Sequence, residues 1–319
     1  CKSNDSKAKA DNLAMKFLTK DSKSFWTELK RVNGSDKSVL ASTVNGVSGH
    51  ANIAKMWHDY YKKLLNSSTG TDNKQFVMDQ FKLCNIVDFE ITPVDVKEAI
   101  KDLKSGKSAG LDNLTSEHFK YASDKLYVLL CLVMNSMIAH TFLPSKFMDT
   151  LLIPIVKDKK GNITDGDNYR PIAITCVASK VFELIILDKC SDCFITTDNQ
   201  FGFKNGLSTE LCIFSLKQII EYYKMLSSPV YICYLDASKA FDRLNHWTLC
   251  KKLILRNVPI ILVRLLSKWF STQTFAVQWG SCVSNSFYVC NGVRQGGILS
   301  PIFFNVYIDD LSTGLTNLN

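Results

Sequence analysis

The sequence predicts an α+β fold, and three observations carry that reading. Apolar residues recur at helical spacing over long stretches, as in Ile53, Met56, Trp57, Tyr60, Tyr61, Leu64 and Leu65. Two apolar runs, 151–156 and 169–175, flank a polar turn holding Gly161 and Gly166, the pattern of a β-hairpin. A third apolar run, 230–235, follows Pro229 and ends on a carboxylate, Asp236, as a strand that delivers a side chain to a loop would do.

The remaining elements follow in chain order. Residues 1–68 are helical in pattern, with Phe25, Trp26, Leu29 and Val32 on one face. Residues 66–73 are Asn, Ser, Thr, Gly and Asp and read as a linker. Thr92-Pro93 opens a helix, threonine as cap and proline in the first turn. Residues 104–113 are a glycine- and lysine-rich loop. A long helix runs from Thr115 to about Pro144; its apolar run from Leu126 to Phe142 is too short to span a membrane and reads as a buried core helix. Helices are predicted over 179–190, 208–226, 246–256 and 259–270, and strands over 275–279 and 287–290. Ser300-Pro301 starts the last helix.

Length and composition bound the problem. A chain of 319 residues can hold two or three domains or subdomains, and 46% hydrophobic content indicates a globular chain. The formal charge of +8 suits a polyanionic partner without requiring one. The first twenty residues are charged and polar, unlike a secretory signal. Eleven scattered cysteines therefore read as free thiols in a reducing compartment. Cys190 and Cys193 form a lone CxxC; a zinc site needs four ligands, and no second pair stands at finger spacing.

Three segments carry chemistry. In Tyr231-Ile232-Cys233-Tyr234-Leu235-Asp236-Ala237-Ser238-Lys239-Ala240-Phe241-Asp242-Arg243, Asp236 is placed either to hold a divalent ion in phosphoryl transfer or to cap a strand-to-helix turn. The hairpin turn brings Lys157, Asp158, Lys159 and Lys160 near Arg170, a basic lid for a triphosphate or a solvated basic turn. Gln295-Gly296, within Gly292-Val293-Arg294-Gln295-Gly296-Gly297-Ile298-Leu299-Ser300-Pro301, is a glycine turn that lets backbone approach a sugar or phosphate, or simply joins a strand to a helix.

Taken together and in this order, the segments resemble the reverse transcriptases of non-LTR (LINE-type, jockey-like) retrotransposons. Asn168-Tyr169-Arg170-Pro171-Ile172 resembles the fingers motif, Gln200–Thr209 a fingers–palm motif, and Ser105–Asp112 the amino-terminal motif of non-LTR enzymes. In the fingers–palm motif, Asn205 and Leu207 stand where the family usually has basic residues. The resemblance implies the right-hand polymerase architecture: a helical region over 1–73, fingers over 74–229 and part of the palm over 230–319. It implies that Asp236 binds catalytic metal, two Mg²⁺ ions in the intact enzyme. Arg170 and, as a weaker match, Lys157 would contact the incoming triphosphate. Ile172 would pack on the templating base, Phe241 would gate against a ribose 2′-hydroxyl, and Gln295 with Gly296 would meet the nucleotide's sugar. The implied partners are an RNA template, a DNA primer and deoxynucleoside triphosphates, with no membrane and a nuclear or cytoplasmic setting.

The family's second carboxylate element is a Tyr/Phe-Ala-Asp-Asp hairpin. Tyr307-Ile308-Asp309-Asp310 resembles it in letters but falls inside the predicted last helix, so the chain is expected to stop short of the true box. On that expectation the chain is a piece of an RNA-directed DNA polymerase. The rival is a non-catalytic nucleic-acid-binding remnant.

Overall fold

The computed structural model describes residues 15, 40–67, 70–83 and 89–316, with side chains up to Leu311. The chain divides into two compact units, 1–42 and 43–319. The expected helix around Phe25 and Trp26 lies outside the described residues, and the boundary expected near residue 73 falls inside the second unit.

That unit opens with a hairpin, β1 (Thr43–Val44) and β2 (Val47–Ser48), around Asn45 and Gly46, both at positive φ as a tight two-residue turn demands. Asn45 pins the hairpin to the connection between the later central strands: its N–H donates to the Thr164 carbonyl and its Oδ1 accepts the Gly166 N–H. Helices α1 (His50–Leu64) and α2 (Lys74–Leu83) follow. Helix α3 (Pro93–Asp102) carries the expected cap: Thr92 Oγ1 accepts the Asp95 N–H, and the Asp95 carboxylate accepts the Thr92 N–H.

The long helix expected from Thr115 is two, α4 (Ser116–Lys120) and α5 (Lys125–His140). Ser123 and Asp124 accept backbone bonds from Leu126 and Tyr127 and restart the helix, as residues that favour helix starts over interiors should. Nor is α5 buried all round. It buries Cys131, Met134, Met137 and Ile138 and exposes Val128, Leu129 and Leu132. Its Asn135 has a structural use: the amide pairs with both the N–H and the carbonyl of Ile91, ahead of α3.

After the short α6 (Ser145–Met148) come β3 (Asp149–Val156) and β4 (Tyr169–Thr175), the predicted hairpin, paired antiparallel with Ile155 opposite Arg170. Then follow α7 (Val177–Lys189), α8 (Thr209–Met225), α9 (His246–Leu255) and α10 (Ile260–Thr272). Strands β5 (Thr274–Trp279), β6 (Cys282–Val283) and β7 (Phe287–Tyr288) complete the sheet, and α11 (Ser300–Thr316) ends the described chain. The sheet order is β4-β3-β5-β6, with β3 and β5 parallel and β7 paired to β5. One core cluster joins α3, α5, α7, α9, α10 and α11 through residues such as Ile100, Ile138, Phe182, Leu262 and Phe303.

The strand predicted over 230–235 does not form. Residues 229–237 carry no regular secondary structure and are exposed, with Tyr231, Tyr234 and Leu235 each more than three-quarters accessible, and they pair with no described strand. A β-prone run becomes a strand only against a partner edge. Helix α8, which leads into it, buries none of its residues.

Candidate nucleotide site

The β3–β4 hairpin and the turn before α11 meet at a cavity of about 410 Å³. Lys157 and Arg170 line it from the hairpin, Gln295 from the turn, and Lys239 and Asp242 from the loop before α9. Tyr60, Tyr61 and Leu64 of α1, with Asp167, Tyr169 and Pro171, form the rest of its wall. Lys157 is held by its Nζ donating to the Asp167 carbonyl at 2.8 Å. Arg170 is exposed and forms no ion pair among the described residues.

The turn carrying Gln295 is pressed onto β4. The Gln295 carbonyl accepts the Ala173 N–H at 2.7 Å. Gly296 has φ +120°, and a Cβ there would stand 2.9 Å from the Ala173 carbonyl oxygen, so glycine is required by both conformation and space. Behind the turn, Glu183 of α7 is 2% exposed. It accepts the N–H groups of Ile298 and Leu299 and pairs with Arg294, whose guanidinium lies 4.5 Å over the Trp269 ring. A buried ion pair thus fixes the turn from the core side.

Asp242 is the buried acid of the site, 6% exposed. Both its carboxylate oxygens accept from Gln295 Nε2 at 3.2 Å. Burial pushes its carboxyl up to about 6, against the lowering effects of the Gln295 bond and of Lys239 and Lys157. The Tyr61 hydroxyl is pushed well above the usual phenol range, first by burial, then by Tyr60 and Asp242.

A second groove, about 630 Å³, lies beyond the turn. Ile172 and Gly296 line it together with Lys104, Lys107 and Lys180. Gln295 and Gly296 therefore stand between two openings, one against Arg170 and the other against Ile172.

Lys157, Arg170 and Gln295 are thus brought together, and Ile172 and Gly296 share the neighbouring groove. Phe241 lines neither. Its ring stacks on Phe304 at 5.0 Å and meets Phe203 edge-on at 6.0 Å. Asp236 is on the exposed stretch and also outside both. Tyr307–Asp310 lies on α11, where Asp309 pairs with Arg256 and Asp310 with Lys252. No group of three or more His, Cys, Asp or Glu residues among the described residues is arranged to hold a metal ion. Asp236 can supply one carboxylate, which falls short of a two-ion site. Cys190 is buried, and burial pushes its thiol up to about 12.

Sequence reasoning missed Tyr60, Tyr61 and Lys239. The two tyrosines merge into the apolar periodicity of α1, and Lys239 is one lysine among many. Glu183 did leave a signal, a single acid within Val181-Phe182-Glu183-Leu184-Ile185-Ile186.

A basic hairpin, a glutamine–glycine turn and the loop carrying Lys239 and Asp242 surround one cavity. Residues 157–318, half of the chain, match the family model described as reverse transcriptase (RNA-dependent DNA polymerase), and the chain belongs to that family. It is 28% identical over 251 residues to the Drosophila melanogaster protein named "Probable RNA-directed DNA polymerase from transposon BS", covering 76% of this chain and 27% of that protein. It is 27% identical over 232 residues to the RNA-directed DNA polymerase from mobile element jockey of Drosophila funebris, covering 69% and 24%. To a type-2 retrotransposable element R2DM polyprotein of Drosophila melanogaster it is 24% identical, covering 88% and 25%. The chain spans about a quarter of the length of these relatives. No described helix is long and apolar enough to cross a membrane.

Proposed function

We propose that this chain is the nucleotide- and template-holding part of an RNA-directed DNA polymerase of a non-LTR retrotransposon. The right-hand architecture, with fingers over 74–229 and part of the palm over 230–319, belongs to this reading. The observation that carries it is the cavity where Lys157, Arg170 and Gln295 converge. Arg170 and Lys157 would bind the phosphates of a deoxynucleoside triphosphate, a planar fork and a point charge suited to that anion. Gln295 would meet the sugar, and Ile172 would pack on the template base in the neighbouring groove. The lysines of that groove supply cations for the backbone of an RNA template paired to a DNA primer.

Asp236 is the residue proposed to hold divalent metal when the nucleotide arrives, and Phe241 the proposed sugar gate. One carboxylate does not make a two-Mg²⁺ site. A setting in the nucleus or the cytoplasm is part of the same proposal.

Titration of the chain with a fluorescent deoxyadenosine triphosphate tests this reading. Saturable binding is expected, with Arg170→Ala weakening it about tenfold or more. Equal binding by the variant, or none by the wild type, refutes it. The second reading, a nucleic-acid-binding remnant, is favoured by the position of Asp236 outside the cavity. It gains if RNA binds with a steep salt dependence while the nucleotide does not bind.

A further inference from the structure

Helix α1 lies outside residues 157–318, yet it is joined to the site at three points. Lys239 Nζ donates to the Tyr60 hydroxyl at 2.6 Å and stands 4.9 Å from the centroid of the same ring. At the helix's carboxyl end, the Leu65 carbonyl accepts the N–H groups of Cys290 and Asn291. The Asn291 amide donates to the carbonyls of both Leu64 and Asp242. The helix is anchored below by Trp57, which is 1% exposed and packs against Tyr61, Tyr169 and Trp279.

Lys239 itself is set in an unusual way. Its φ of +54° is left-handed, costly for a lysine, and its carbonyl accepts the N–H groups of Asp242 and Arg243. The backbone is thereby committed, and the long side chain takes its direction from Tyr60. That direction keeps the ammonium on the wall of the cavity that also holds Lys157 and Arg170.

We infer that Lys239 is a third cationic ligand for the triphosphate and that Tyr60 is its positioning residue, so that helix α1 is a working wall of the nucleotide site. The inference rests on the proposed nucleotide reading of the cavity. A hydroxyl holds an ammonium without neutralising it, whereas a paired carboxylate would cancel its attraction for phosphate; Asp242 acts on Lys239 through space but forms no ion pair with it among the described residues. The loop between Asp236 and Asp242 is thus tied to the region that precedes the polymerase domain.

The test is a comparison of wild type, Tyr60→Phe, Lys239→Met and the double variant. Each is titrated with fluorescent dATP and with the corresponding deoxynucleoside monophosphate. Tyr60→Phe keeps the ring and removes only the hydroxyl, and thermal melting confirms that each variant is folded. Lys239→Met is expected to weaken dATP about three- to tenfold and to leave the monophosphate nearly unchanged. Tyr60→Phe should give a smaller loss of the same kind, which disappears when Lys239 is already methionine. A merely structural role would weaken both nucleotides alike, and that pattern overturns the inference. So does wild-type affinity in Lys239→Met when Arg170→Ala is weakened, an outcome that leaves the nucleotide reading standing. If the wild type binds no dATP, both fall together.

Discussion

Glu183 and Arg294 show how a charge can be placed for geometry. The pair is buried, and Glu183 also accepts two backbone N–H groups at the start of α11. Removing one partner strands the other charge, which costs far more than the net worth of the pair. Glu183→Ala should lower unfolding free energy by about 3–5 kcal/mol in urea titration, and converting both residues to methionine should recover much of the loss. If the single variant is as stable as the double, the pair has no such role.

Asp242 yields a prediction with a definite sign. Its folded carboxyl is pushed up to about 6 by burial, above the ordinary unfolded value near 4. The protonated form is favoured in the folded state, so its contribution is full below the unfolded pKa. It is lost as pH rises through about 6. His246 runs the other way. Burial lowers it to about 4, and its Nε2–H donates to the Gly292 carbonyl, so its contribution is present above about 6.5 and lost as pH falls through about 4. Asp242→Asn should therefore be about 1–3 kcal/mol more stable than wild type at pH 8 and nearly equal to it at pH 4. A variant less stable than wild type at pH 8 contradicts the assignment.

Among the elements, those set by local rules were legible in the sequence. The Thr92 cap, the apolar period of α1 and the β3–β4 hairpin each follow from residues close in the chain. The segment 229–237 was not, because strand formation depends on a partner edge and not on its own β-prone residues. Amide hydrogen exchange in 230–236 should be close to the unprotected rate, against strong protection in β3 and β5. Protection comparable to β3 would show that the stretch is paired in solution. The break between α4 and α5 was illegible for a different reason: Ser123 and Asp124 act as start signals there, but apolar periodicity resumes so soon that the two helices read as one.

At the scale of the whole molecule, the site is an assembly of distant pieces. The cavity draws on α1, on the β3–β4 hairpin, on the loop before α9 and on the turn before α11. Arg170 and Gln295 were legible as candidates because each sits in a motif whose letters are unusual, and Lys157 because it stands in the basic turn of the hairpin. Tyr60, Tyr61 and Lys239 became visible only when the fold set α1 beside that loop. Asp236 and Phe241 were equally legible as motif letters, yet neither lines the cavity: Asp236 lies on the unpaired stretch, and Phe241 packs against Phe203 and Phe304.

Hydrogen exchange of the chain with and without dATP is the most direct test of this picture. Added protection is expected together in 157–168, 239–243 and 295–297, with little change in the α5 core. Protection confined to other segments, or none at saturating nucleotide, would contradict a triphosphate site between the hairpin and the turn.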